Sequence, residues 1–385
     1  MSHQFDVVIV GGGIVGLAAA IAMTQRNYTV AVADARSIME ITPSNRVYAI
    51  NQTSQRLLTQ LEVWQQLDEQ QVTPYEGMFV WDQISRAHIE FDSRMINSNR
   101  LGYIVEENTL KESLVARAQK LGVTFFEDFR VTRVKEQDKN VLIFAKDEQL
   151  QAKLLMIADG ANSSVRELLR VPLREWSYHQ KAIVATVETE KDHEQKAYQV
   201  FAQGQPLAFL PLKNPNRCSI VWSVSPGNAQ RLLNLSERAF AEELVSTFAH
   251  KLGKTKLVSK REQFPLHMRH AKQYAGTRWM LLGDAAHNIH PMVGLGLNLG
   301  LADVQVWDKL LENTAHNRWT EFSLAAYQRQ RKHAVWQVIL MLEGLKMLFS
   351  NPLSPIVALR SLGLGVCNQL PLLKRFFISQ AAGEL

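Results

Sequence analysis

The sequence predicts an α/β fold with a Rossmann-like domain, an inserted antiparallel-sheet domain and a C-terminal helical region. Three observations predict it. The chain opens on a strand, a glycine-rich turn, an Ala-rich helix and a second strand; two later apolar strands each end in an Asp-Gly or Gly-Asp turn; and short β-rich runs broken by Gly, Pro and Asn lie between those two.

At 385 residues, with 46% apolar and 21% charged residues, the chain can bury a substantial core and is long for a single one, so about two domains are expected. The 43 Lys and Arg exceed the 37 Asp and Glu by six and are scattered, so a pI near 9.2 does not argue for nucleic acid, and no nucleic-acid partner is expected. Cys218 and Cys367 lie far apart, with no CxxC or His-rich companion. That argues against a disulfide framework or a cysteine zinc site and fits a reducing cytosol. "MSHQFDVVIVGGG" lacks the basic and long apolar regions of a signal peptide, and no uncharged apolar run reaches the roughly eighteen residues of a spanning helix. A cytoplasmic protein is expected.

The first element is a buried strand over Phe5 to Val10, followed by a glycine turn, a helix, and a second strand over Thr29 to Ala33 that closes on Asp34. Gly11, Gly13 and Gly16 form GxGxxG. The first makes the tight turn, the second admits a pyrophosphate, and the third lets helix and strand pack closely. The helix N-terminus supplies N–H groups for the anion. Asp34 stands eighteen residues after Gly16, where a carboxylate accepts ribose hydroxyls and repels a 2′-phosphate, so the nucleotide is FAD or NAD.

In "LLMIADGANSSVRELL" an apolar strand ends on Asp159-Gly160 and leads to a helix carrying Arg166; in "RWMLLGDAAHNIHPMVGLGLNLG" another ends on Gly283-Asp284. Together with GxGxxG, these resemble the three fingerprints of the flavin-dependent aromatic hydroxylases, the class A monooxygenases of para-hydroxybenzoate hydroxylase type. The resemblance implies FAD as cofactor and NAD(P)H as electron donor. It places Asp284 near the ribityl and pyrophosphate, and Gly294, Gly296, Leu297 and Asn298, with Pro291, in the loop and helix start beside the flavin ring. Asp159, Gly160 and Arg166 match the second fingerprint, and Arg46 matches the family arginine just beyond the second strand. His287 and His290 have helical metal-ligand spacing, but no third ligand cluster accompanies them. No metal is expected, and the two histidines read as structural or flavin-adjacent.

The same resemblance divides the chain into a discontinuous FAD-binding domain (1–72, 100–171 and 268–335), a substrate-binding β-sheet domain (73–99 and 172–267) and a C-terminal helical region (336–385). It extends to "YIVEENTL" at 103–110, "FLPL" at 209–212, "SIVWSVSP" at 219–226 and "LRSLGLGVCNQLPLLKR" at 359–375, which look like the ubiquinone-biosynthesis hydroxylases of the UbiH, UbiF and VisC (UbiI) group. "GMFVWD" at 77–82 points towards the VisC branch, which would imply C5 or C6 hydroxylation of a 2-polyprenylphenol. Three positions depart from the family pattern: Leu295 where Gln is usual, Val293 where Ala is usual, and Glu107 where Asn is usual.

In such enzymes the cofactor carries the chemistry: NAD(P)H reduces FAD, O2 adds to give a C4a-hydroperoxide, and the phenol ring attacks its distal oxygen. The protein positions the ring and excludes water, and no catalytic side chain is identified. Phe209, Pro211 and Trp222 are candidates for an aromatic pocket wall, against the alternative that they are ordinary core. The apolar segments "AVWQVILMLEGLKMLF" and "LLKRFF" suit a peripheral membrane contact, a contact within a ubiquinone-synthesis complex, a homo-oligomer face, or a cover for the core. The expected activity is FAD-dependent hydroxylation of a polyprenylphenol with O2. The alternatives are another FAD oxidoreductase of the same fold, such as a reductase or halogenase, and a nonenzymatic flavoprotein subunit.

Overall fold

The computed structural model describes residues 2–41, 44–146, 148–290, 294–312, 314, 319–370 and 374–375. Strand Ser2–Val10, helix Ile14–Gln25 and strand Val30–Ala33 form the βαβ unit, with the first strand beginning earlier than its apolar run. Val7–Val10 pair in parallel with Val30–Ala33 on one side and with Leu154–Ile157 on the other. Strand Gln149–Ile157 then divides its outer edge. Its first half pairs antiparallel with Val141–Phe144, and Leu155–Ile157 pair in parallel with Trp279–Leu281. The ends of the parallel strands are zipped together by backbone bonds from Gly11 to Ala33, Ala158 to Val10 and Leu282 to Ile157, at 2.8, 2.7 and 2.8 Å. Three turns far apart in sequence are therefore neighbours at one sheet edge, the carboxyl-end location where open α/β sheets bind ligands.

A second sheet of the described residues contains nine strands and is antiparallel except at one place. There Lys196–Phe201 run parallel to Gly77–Asp82, which brings residues 77–92 into a sheet otherwise built from 173–288. One face of its central strands is apolar and covered, and the other carries smaller and partly polar residues such as Ser219 and Ser223. Helices Pro226–Asn234 and Glu237–Thr247 cover one face over Phe209, Ile220 and Trp222. Helix Glu321–Ser350 covers part of the other, over Val80, Phe201 and Met268. The expected limits at 267 and 335 fall inside strand Glu262–Ala271 and that helix, so neither is a break between elements. Helix Ser354–Gln369 is held by a buried ion pair: Arg360 Nη2 donates to Asp82 Oδ2 at 2.8 Å, and Nη1 donates to the Leu348 carbonyl at 2.8 Å.

Candidate active site

The three turns at the sheet edge surround a cavity of about 1030 Å³. Two of the fingerprint glycines are demanded by packing. Gly11 has φ +113°, and a Cβ there would lie 2.3 Å from the Ala158 carbonyl oxygen; one on Gly16 would lie 1.9 Å from that of Gly11. Gly13 differs, since a Cβ there would meet nothing within 4 Å. It is the N-cap of the first helix, provides no side-chain cap, and lines the cavity with Gly12. The first-turn N–H groups and the positive end of the helix dipole therefore face open space of the kind a phosphate fills. Asp34 is held at the rim by two backbone donors, Gly12 N–H to Oδ2 at 2.7 Å and Arg36 N–H to Oδ1 at 2.9 Å.

The second and third motifs split into wall and support. Gly160, with φ +86°, lines the cavity, whereas Asp159 and Arg166 stand behind it. Asp159 accepts from the Val165 N–H at 3.2 Å, and burial pushes its carboxyl above the usual range. Arg166 is buried and spends its guanidinium on the carbonyls of Ala285, at 2.9 Å, and Ala161, at 3.1 Å. It is thus a brace between the second and third turns. Asp284 projects into the cavity, takes a bond from Asn288 Nδ2 at 3.0 Å, and is raised by the surrounding protein's desolvation.

The turn carrying Asp284 is fixed by residues that sequence reasoning missed. Asp303, fully buried, accepts from the Gly283 N–H and His287 Nε2 at 2.8 Å each and from Arg331 Nε at 2.6 Å. Burial alone would raise its carboxyl, but His287 and Arg331 prevail and hold it below the ordinary value. The available signal was one carboxylate in the apolar helix "GLNLGLADVQVW". His290 packs edge-on against Tyr178 at 4.7 Å and pairs through Nε2 with Gln180 Oε1 at 3.2 Å. Among the described residues no group of three His, Cys, Asp or Glu is arranged to hold a metal.

Gly294, Gly296 and Leu297 line the cavity, and Pro291 and Val293 lie outside the described residues. Asn298 clamps the loop from behind. Its Nδ2 donates to the carbonyls of Ala49, at 2.7 Å, and Gly294, at 3.1 Å, while Oδ1 accepts from the Asn51 N–H at 3.0 Å. Leu295 packs against the cluster containing Ile289 and Met268, so an apolar residue suits that position. Glu107 is on the wall, where it accepts from Tyr48 Oη and Ser44 Oγ at 2.6 Å each. Arg46 lies 4.0 Å from Glu107 and stacks over Phe264 at 4.1 Å.

The far wall is one face of the nine-stranded sheet, and it corrects the aromatic-wall expectation. Side chains alternate along a strand. Ala208 and Leu210, Ser219, Val221 and Ser223 face the cavity, whereas Phe209 and Trp222 point the other way into the core, Phe209 stacking on Phe248 at 3.8 Å. Pro211 is buried and is not on the wall either. Ala182, Ala197, Ala208, Ser219 and Ser223 keep part of the wall low, which leaves width for a flat ring, and the larger Met78, Tyr198, Leu210 and Phe264 line it beside them.

The residues present fit a flavin dinucleotide: an uncapped helix start with an open glycine, a fixed carboxylate at the strand end, and a cavity at the upper end of the roughly 300–1,000 Å³ usual for ligand sites. The model of the FAD binding domain family matches residues 4–341. The 3-demethoxyubiquinol 3-hydroxylase of Escherichia coli (strain K12) is 32% identical over 389 residues, covering 98% of each chain. The ubiquinone hydroxylase UbiL of Rhodospirillum rubrum is 32% identical over 388 residues, covering 99% of this chain and 90% of that one. Among solved structures, p-nitrophenol 4-monooxygenase PnpA from Pseudomonas putida DLL-E4 superposes with a TM-score of 0.80 over 98% of this chain and 97% of its own, at 18% identity, a likeness of fold. The chain belongs to the FAD binding domain family, among the flavin-dependent hydroxylases of ubiquinone biosynthesis.

Proposed function

We propose that this protein uses FAD, NAD(P)H and O2 to hydroxylate the ring of a polyprenylphenol-type intermediate of ubiquinone biosynthesis. The observation that carries the reading is a single cavity that runs from the Gly12, Gly13 and Asp34 cradle to the small-residue wall at Ala182, Ala208 and Val221. A dinucleotide and a ring can share it. When bound, FAD supplies the redox and oxygen chemistry. The chain's own tasks are physical. The first-turn N–H groups after Gly13 bind the pyrophosphate, Asp34 takes the ribose hydroxyls, and Asp284 and the Gly294 to Leu297 loop set the position of the flavin ring. Arg46, stacked over Phe264, adds a cation at the rim. The sheet wall holds the substrate ring and excludes water.

In this reading residues 1–72, 100–171 and 268–335 hold the cofactor and 73–99 and 172–267 hold the substrate, with 336–385 forming the outer cover. That cover is also the surface that meets lipid. No helix among the described residues is long and apolar enough to cross a membrane. Instead Leu359, Leu362 and Val366 form an exposed stripe on helix Ser354–Gln369, Leu370 is exposed at its C-cap, and Leu340 and Met347 are exposed on helix Glu321–Ser350. In residues 344–383, which hold no Asp or Glu, Arg360 is spent on Asp82 and Lys346 lies over Tyr178, which leaves Lys374 and Arg375 to suit an anionic bilayer surface.

The test is a spectrum of the purified protein with added FAD, followed anaerobically with NADH and NADPH, with a short-chain prenylphenol and, separately, a short-chain demethoxyquinol. Flavin reduction accelerated by one ring compound, and its hydroxylated product once oxygen is admitted, is the expected result and identifies the ring accepted. Absence of flavin binding under all conditions sinks the proposal.

A further inference from the structure

The wall of the main cavity does not stop at Arg46. Along strand Leu173–Thr189, Ala182 and Val184 face the main cavity, and Thr186, next on the same face, lines a second cavity of about 620 Å³. The two neighbouring strands do the same. Ala208 and Leu210 give way to Leu212, and Val221 and Ser219 give way to Arg217. Because side chains on one face recur every second residue, the two cavities are successive parts of one trough. Arg46 and Val47 line both and form the partition.

The two ends of the trough differ in chemistry. Beyond the small-residue wall the main cavity ends against Leu266 and Ile289, which belong to the apolar cluster under helix Glu321–Ser350. The second cavity carries Arg46, Lys213 and Arg217, with Glu106 as the one acid lining it among the described residues. Burial, then nearby Asp68, raises the Glu106 carboxyl. Arg217 is tied to exposed Glu188 at 2.8 Å, and Lys213 makes no ion pair among the described residues. Lys213 stands on the turn between strands Gln205–Pro211 and Arg217–Val224, and Arg217 opens the second of them. A polyprenyl tail has no place among those cations, so it belongs at the apolar end.

We propose that the cationic cavity binds the pyrophosphate of the reducing nicotinamide dinucleotide, with its ring end directed past Arg46 towards the main cavity. The inference rests on the flavin hydroxylase reading, because the cradle at Gly12 and Gly13 is then occupied by the flavin's own pyrophosphate and a second dinucleotide needs another anion site. The opposite polarity of the two ends keeps reductant and lipid apart.

The test titrates the FAD-loaded protein calorimetrically with NADP+, NAD+ and inorganic pyrophosphate, for the wild type and for the double variant Lys213→Ala/Arg217→Gln. Both positions are exposed and lie outside the cofactor cradle. The expected result is binding of one dinucleotide that weakens with added salt and falls about tenfold in the variant, the loss of roughly two surface ion contacts. FAD affinity and the spectral response to prenylphenol stay at the wild-type level. Equal dinucleotide affinity in wild type and variant overturns the proposal, as does a wild type that binds no dinucleotide. Pyrophosphate binding as strong as either dinucleotide also overturns it, by showing an unselective anion site. Failure to bind FAD at all is visible before any nucleotide is added and takes down the parent reading as well.

Discussion

Gly13 and Gly16 sit three residues apart, and a methyl group on each has opposite consequences. Gly16→Ala drives a Cβ into the Gly11 carbonyl and forces helix Ile14–Gln25 off its strand. A loss of about 1–3 kcal/mol is expected as a lower melting temperature of the FAD-free protein. Gly13→Ala meets open space, so the FAD-free stability stays within about 0.5 kcal/mol of wild type while FAD binding weakens at least about tenfold. Equal losses at both sites in both assays would show that Gly13 is structural. Burial also sets an acid response. It pushes His270 and His290 down to about 4 from the ordinary imidazole value of 6.5. Both remain neutral in the native state while the unfolded chain takes up protons, so stability falls as pH drops from about 6.5 to about 4 and the loss levels off below that. Each histidine contributes on the order of 3 kcal/mol at most. His270 has an unpartnered Nε2 and packs beside Tyr274 and Trp336, so His270→Phe fills the same space and is expected to flatten the melting-temperature slope over that window. An unchanged slope would remove His270 from the account. At this scale the glycines and Asp34 were legible because local turn geometry dictates them. Asp303 and Arg331 were not, because their role exists only once two helices meet behind Gly283.

Strands explain which expectations held at the level of elements. The βαβ unit could be read from local pattern, since an apolar run, a glycine turn and an Ala-rich helix leave few alternatives. The sheet wall was harder to read, because its cavity face mixes Ala208, Leu210 and Val221 with Ser219 and Ser223, so the polar alternation is faint. Phe209 and Trp222 drew attention by size, yet they face the core under helices Pro226–Asn234 and Glu237–Thr247, and their small neighbours face the cavity. Adjacent substitutions separate the two faces. Phe209→Ala is expected to cost about 3–5 kcal/mol in denaturant unfolding, with ring-compound affinity little changed in the surviving folded fraction. Ala208→Phe adds bulk where there is room, so it should leave unfolding nearly unchanged and raise the apparent Kd for a prenylphenol severalfold or more. The reverse pattern would show that the strand register is wrong by one residue.

At the scale of the whole molecule, the carboxyl ends of strands closing at residues 10, 33, 157 and 281 converge on one cradle, and helices from the last fifth of the chain close the apolar end of the trough. Helix Ser354–Gln369 is two-faced. Arg360 anchors its inner side to Asp82, while Leu359, at 63% exposure, and Leu362, at 66%, point outward beside Met347, at 74%. Exposed leucines in such number suit an occupant, and Lys374 and Arg375 just beyond the helix favour anionic lipid over a second copy of the same face. Burying two leucine side chains supplies on the order of 4 kcal/mol, so Leu359→Ser/Leu362→Ser is expected to lower partitioning onto phosphatidylglycerol vesicles about 100-fold or more. Raising salt should weaken wild-type binding further. A water-soluble short-chain phenol would be turned over at the wild-type rate by the variant, and a long-chain one presented in vesicles would not. Vesicle binding unchanged in the variant, or a loss confined to self-association measured by sedimentation without lipid, would assign the stripe to another occupant and leave the substrate to reach the trough by a different route.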